Sequence, residues 1–220
     1  GNGFVGKVML IKDPKWIQVA VIKKIGITGE RVSDLVKDTG AIAGINAGGF
    51  YDLDGRGNGG YPDGITVHNG EIVHNSIGDK STDMVAFDNN GQLIIGEMSA
   101  EDVKKKNIQE GISFWPALIK DGQRGNFYNG EWGIAPRTAI GQKADGTVIF
   151  VVIDGRQPTY SMGAQLSDLY NIFLKYDAVN AANLDGGSST TLVYKGKVIN
   201  KPCDIFGERY IPNAFVVVPD

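Results

Sequence analysis

Cysteine is nearly missing from this sequence. Cys203 stands alone among 220 residues, so no internal disulfide can staple the fold. Histidine is almost as scarce. His68 and His74 have no carboxylate or cysteine set near them in sequence, which argues against a zinc site and against a Ser-His-Asp triad. Ser188 lacks a G-x-S-x-G elbow, and no G-x-G-x-x-G opens a helix, so no organic cofactor is implied. Neither charge sign dominates. With 22 basic and 25 acidic residues the net charge is −3, too little for a general field that grips nucleic acid or an anionic membrane. No apolar run is long enough to span a bilayer. No signal peptide is visible either.

Glycine, by contrast, is abundant: 31 residues, about twice the usual share of roughly 7%. The glycines sit in tight turns between apolar runs rather than in a low-complexity tract. Asn69-Gly70, Asn89-Asn90-Gly91, Asp121-Gly122, Asp145-Gly146 and Lys195-Gly196 each follow or separate short apolar segments. Such dipeptides supply the positive φ angles of hairpin turns, a strong antiparallel signal. Phe4 to Ile11, Trp16 to Ile22 and Ala214 to Val218 read as further strands. Helical spacing of Leu166, Leu169, Tyr170, Phe173 and Tyr176 predicts a helix over about 164–177. A capping box of Ser99 and Asp102 predicts a second over about 100–109, and a shorter helix covers about 31–37. The expected fold is one α+β domain over 1–220. It is strand-rich, with mostly antiparallel or mixed sheet, many hairpins and a few helices packed on it.

Five segments place polar residues where an apolar strand meets a Gly-rich turn, a rigid setting in which backbone can approach a ligand. They are AIAGINAGGFYD (41–52), with Asn46 and Gly48; APRTAIG (135–141), with Arg137 and Thr138; VVIDGR (151–156), with Asp154 and Arg156; NLDGGSSTT (183–191), with Asp185, Gly186, Gly187 and Ser188; and GERYIPN (207–213), with Glu208, Arg209 and Asn213. Singly, each has a plain structural reading. Asp-Gly is a common turn, and Asn46 can satisfy buried backbone groups. Together they gather three of the chain's six arginines, four carboxylates and a GGSS turn whose amides suit an anion. Asp52-Leu53-Asp54-Gly55 with Asn58 has some character of a calcium loop, without EF-hand spacing, and a plain turn is the stronger reading. Trp115, Trp132, Phe127 and Tyr128 suit either a sugar-stacking wall or ordinary packing.

The blocks GINAGGF, PRTAIG, VIDGR, Met162-Gly163 with Leu166, NLDGGSSTT and ERYIPNAFVV, in this order across about 41–218, resemble the phosphodiester glycosidase family. The resemblance implies hydrolysis between a sugar's anomeric carbon and a phosphodiester oxygen. It implies an extracytoplasmic setting and a sugar-1-phosphodiester or phosphorylated glycan as substrate, expected here to be bacterial envelope or exopolysaccharide material. On that reading Arg137, Arg156 and Arg209, with the 186–188 amides, neutralise phosphate charge. A carboxylate serves the oxocarbenium-like carbon as nucleophile or as base for water. Asp185 is the first candidate, followed by Asp154 and Glu208, while Asn46 and Asn213 orient sugar hydroxyls or carboxylates. No cofactor is expected beyond the weak calcium reading. The rival reading is a non-catalytic carbohydrate-binding module of the cell envelope.

Overall fold

The computed structural model describes residues 3–53 and 57–219. At Asn69-Gly70 both φ angles are positive, 51° and 78°, as a two-residue hairpin turn requires and as glycine permits without a Cβ clash. This turn joins β4 (Ile65–His68) to β5 (Glu71–Asn75). The same device at Lys195-Gly196 joins β14 (Leu192–Tyr194) to β15 (Lys197–Val198).

Three sheets result. The first runs β1 (Gly6–Ile11), β12 (Val148–Ile153), β11 (Arg137–Lys143), β13 (Ala178–Asn183), β9 (Ala117–Lys120) and β10 (Gln123–Arg124). In the second, β15 and β14 are followed by β3 (Ala43–Asn46), β16 (Asn213–Val217) and β2 (Ile17–Val21). The third places β5 and β4 beside β8 (Ile108–Ser113), β6 (Thr82–Asp88) and β7 (Leu93–Met98). Every pairing among these strands is antiparallel, so the sheets are not mixed.

The period of two along each strand divides its side chains between an inner and an outer core. In β12, Val148, Phe150 and Val152 point into a central cluster with Ile45, Val85, Phe87, Ile112 and Phe215 from the other two sheets. Ile149, Val151 and Ile153 point outward instead, onto Leu166, Leu169 and Phe173 of helix α4 (Leu166–Lys175). The second sheet likewise carries helix α1 (Val32–Asp38) through Val32, Leu35 and Val36. The third carries α2 (Ala100–Lys105) through Val103. A one-turn helix α3 (Asn129–Trp132) lies beside α4. The three sheets therefore wall one shared core, and each shields its outer face with a helix, so β12 is apolar throughout.

The helix over 100–109 is shorter than the sequence pattern suggests. Ser99 and Asp102 form their capping box, but Lys106 caps the other end and Asn107 takes a left-handed φ of 51°. Asn tolerates that conformation better than most side chains, which makes it a helix stop. Ile108 and Gln109 then open β8.

Candidate active site

Five strand ends meet at one end of this sheet assembly: Asn46 closes β3, Arg137 opens β11, Asp154 follows β12, Asn183 closes β13 and Asn213 opens β16. Asn46, fully buried, is the hub. Its Nδ2 donates to the Asp185 carbonyl at 2.6 Å, and its Oδ1 accepts from Thr138 Oγ1 at 2.7 Å and from the Thr191 amide at 3.0 Å. The Asp185 amide donates to the Ala47 carbonyl at 3.0 Å. Asn46 and Thr138 thus fix where the turn bearing Asp185 sits, and they do so by bonds that bridge two sheets.

The segment 183–191 has an unusual feature. Asn183 Oδ1, Asp185 Oδ2, Thr190 Oγ1 and Thr191 Oγ1 are buried and have no hydrogen-bond partner among the described residues. Native proteins seldom leave such atoms unpaired, since each costs about 1–3 kcal/mol. Burial pushes the Asp185 carboxyl up to about 7, against the opposing pull of the Ser189 hydroxyl, the Arg209 charge and the Gly186 amide. A carboxyl poised near neutrality, at a turn rich in unspent polar atoms, is suited to general acid-base or nucleophilic work.

Cations surround this turn. The Arg156 guanidinium is exposed and lies over Gly187, where a Cβ would meet its Nη2 at 3.2 Å. Arg156 itself has a left-handed φ of 56°, an uncommon backbone state for a long side chain. Arg137 is buried. Its Nε donates to the Ala164 carbonyl at 3.0 Å, and its Nη2 donates to the carbonyls of Trp132 and Gly133 at 2.6 and 2.7 Å. Burial, helped by the positive charge of Arg156, lowers its pKa to about 10. Neither Arg137 nor Arg156 forms a salt bridge among the described residues. Two neighbouring guanidinium groups without an intervening carboxylate make a natural anion site.

Arg209, on the other flank, grips Asp52 through two bonds of 2.7 and 2.9 Å and reaches Ser188 Oγ at 3.4 Å. That pairing holds the Asp52 carboxyl below its ordinary range. Sequence reasoning missed Asp52 in this role. Asp52 and Arg209 lie 157 residues apart, and only the fold reveals the pair.

Other candidates are committed elsewhere. Asp154 is buried and accepts from Tyr160 Oη, Asn200 Nδ2 and the Lys201 amide. It ties its own loop to the one that follows β15 and has little capacity left for a substrate. Glu208 accepts from the Ser33 amide at 3.0 Å and so caps α1. Arg137 contributes charge from behind the site, because three carbonyls consume most of its donors. The Gly187 amide donates to the Pro136 carbonyl, which removes it from the expected anion nest. Gly48 and Asn213 bind each other, amide to Oδ1 at 2.7 Å, with Asn213 Nδ2 turned toward Thr66. Trp115 and Trp132 do cluster, with Phe114, and Trp115 is half-exposed. Phe127 instead packs on Tyr170 in the helix layer. In the calcium-loop segment, Asp54 and Gly55 lie outside the described residues, and both Asp52 oxygens serve Arg209.

Comparison with known proteins matches residues 39–218 to a model of the phosphodiester glycosidase family. An uncharacterized SPbeta prophage-derived protein of Bacillus subtilis is 27% identical over 200 residues, 87% of this chain and 30% of the relative. The N-acetylglucosamine-1-phosphodiester alpha-N-acetylglucosaminidase of Bos taurus is 34% identical over 115 residues, 52% of this chain and 19% of that enzyme. The chain therefore spans well under half the length of these curated relatives. The fold is shared with the zebrafish enzyme of that same name, whose catalytic domain was solved auto-inhibited by its pro-peptide. There the TM-score is 0.77 at 21% identity, covering 99% of this chain and 84% of the other. A solved chain of Burkholderia pseudomallei whose name proposes export gives a TM-score of 0.74 at 18% identity, covering 98% of this chain and 74% of the other.

Proposed function

The chain belongs to the phosphodiester glycosidase family, and from that premise we propose that it hydrolyses the bond between a sugar's anomeric carbon and the oxygen of a phosphodiester. The observation that carries this reading is Asp185. Its carboxyl is raised to about 7 and leaves one buried oxygen unpartnered, between the Arg156 and Arg209 flanks of the 186–188 turn.

The phosphate takes its place among Arg156, Arg209 and Ser188, with Arg137 adding positive potential from within. These donors stabilise the charge that grows on the departing phosphomonoester, so the leaving group needs little protonation. Asp185, in its ionised form, faces the oxocarbenium-like carbon as nucleophile or as base for the attacking water. Asp52 keeps the Arg209 fork oriented. The substrate is a sugar-1-phosphodiester of bacterial envelope or exopolysaccharide material, and the setting is extracytoplasmic. The neighbour whose name proposes export supports that setting, and N-acetylglucosamine is the sugar favoured by the named relatives. None of the described helices is long and apolar enough to cross a membrane.

Incubation with an N-acetylglucosamine 1-phosphodiester such as UDP-N-acetylglucosamine tests this reading. Wild type should release free sugar, and Asp185→Asn should bind the same compound without releasing it. Tight, saturable binding with no turnover by wild type would replace the hydrolase by a carbohydrate-binding module.

A further inference from the structure

The turn between Cys203 and Glu208 carries what turns seldom carry. The Gly207 amide donates to the Asp204 carbonyl at 3.0 Å, and the Phe206 amide donates to Asp204 Oδ1 at 2.9 Å. Gly207 completes the turn with a left-handed φ of 87°. Its two corner positions, where glycine, proline, asparagine and aspartate are the usual residues, hold Ile205 and Phe206. These are 91% and 83% exposed, the highest values among the large apolar side chains of the described residues. The turn is also held from both ends. Before it, the Lys201 amide and Asn200 Nδ2 donate to Asp154, and Gln157 Nε2 donates to the Lys201 carbonyl. Beyond it, Arg209 grips Asp52. Two apolar side chains are thus fixed out in water side by side, an arrangement that marks an interaction surface.

The neighbouring surface is basic. β15 is the outermost strand of its sheet, so the β14–β15 hairpin and the chain that leaves it share one open edge. Lys195, Lys197 and Lys201 on this edge are exposed, as are Tyr194 and Val198. Lys195 Nζ lies over the Tyr194 ring, 5.3 Å from its centroid, and Lys201 Nζ over the exposed Tyr160 ring at 4.8 Å. Asp204, whose oxygens shape the turn, is the one acid between residues 194 and 206. The chain's net charge of −3 gives no general attraction to an anionic surface, so this edge is a local inversion of sign. Lysines and tyrosine rings behind an apolar tip suit the boundary between lipid headgroups and acyl chains. Rings sit at the headgroup level there, and ammonium groups reach the phosphates. A protein partner fits less well. Two side chains offer far less than the roughly 800 Å² that each partner buries in a stable interface, whereas a bilayer needs only a tip to enter. We propose that this edge docks on an anionic lipid bilayer, with Ile205 and Phe206 entering the headgroup boundary and Lys195, Lys197 and Lys201 meeting the lipid phosphates. Arg209, three residues beyond Phe206, lies within about 11 Å of the inserted tip, so the docked protein presents its anion site to the membrane.

The docking does not depend on the hydrolase reading and is measured without turnover. Co-sedimentation with vesicles of phosphatidylcholine, or of phosphatidylcholine mixed with phosphatidylglycerol, compares three proteins. They are wild type, an Ile205→Ser/Phe206→Ser variant and a Lys195→Glu/Lys197→Glu variant. Wild type should partition onto the mixed vesicles roughly tenfold or more above phosphatidylcholine alone, and less as salt is raised. Each variant should lose roughly tenfold or more of that partitioning, with Tm unchanged because every substituted side chain is exposed. Should the serine variant misfold, the glutamate variant decides, since its positions lie outside the turn. Wild type left in the supernatant with both vesicle types overturns the docking. So does partitioning at the wild-type level by the glutamate variant or by a folded serine variant. Concentration-dependent self-association of wild type, lost in the serine variant and without vesicle binding, would assign the tip to a second copy of the chain and overturns it equally.

Discussion

Replacing Asp185 by asparagine should make the protein progressively more stable relative to wild type as pH rises. The folded carboxyl ionises at about 7 instead of 3.8. At roughly 1.4 kcal/mol per pH unit, ionising it in the fold costs about 4 kcal/mol more than in the unfolded chain. The sign follows from proton counts. Between the two values the folded state holds a proton that the unfolded state has released, so stability is fully present below about pH 4 and declines as pH rises through about 7. The variant lacks this titration. Its amide occupies the place of an oxygen with no partner and leaves an unmatched donor there, which costs about 1–3 kcal/mol at every pH. That offset is the same at every pH, so the pH trend reads the titration alone. Urea denaturation of both proteins at several values between about pH 4 and pH 8 reads it out, and the stability of the variant relative to wild type should climb by up to about 4 kcal/mol across that range. Parallel curves would refute the claim that burial holds this carboxyl near neutrality.

Arg156 and Arg209 should matter to turnover more than to folding. Arg156→Ala, at an exposed side chain, should leave Tm nearly unchanged while lowering kcat/KM for a phosphodiester by roughly 10–100-fold. Arg209→Lys keeps the charge but loses the two-pronged grip on Asp52, and a comparable loss of kcat/KM is expected. Arg137→Met should instead unfold readily, because the Trp132, Gly133 and Ala164 carbonyls lose their donors; a stability loss of about 3 kcal/mol or more would show as a lower urea midpoint. Asp154→Ala should likewise cost about 2–4 kcal/mol by releasing Tyr160, Asn200 and Lys201. A fully stable but inactive Asp154→Ala protein would return Asp154 to the chemistry.

The features legible in the sequence were those dictated by neighbours along the chain. Asn69-Gly70 and Lys195-Gly196 specify their turns locally, and the spacing of Leu166, Leu169 and Phe173 marks the apolar face of α4. The helix at Ser99 was legible at its start and not at its end, because Asn107 stops it only by adopting a left-handed backbone. That three sheets share one core is a statement about distant contacts, which no short pattern encodes. The site divides in the same way. Strand-end polar residues such as Asn46, Asp185 and Arg156 stand out against apolar runs, and the fold gathers them. What each side chain is free to do depends on partners far away in sequence. Arg137 meets carbonyls from α3 and from residue 164, Glu208 meets α1, and Asp52 meets Arg209.

The most direct test of the central claim is where water enters. Hydrolysis of a sugar 1-phosphodiester in ¹⁸O-labelled water, read by ³¹P NMR of the released phosphomonoester, distinguishes the two bonds. Attack at the anomeric carbon, the proposed role of Asp185, leaves the phosphomonoester without label. Label in the phosphomonoester would mean attack at phosphorus and would contradict the account.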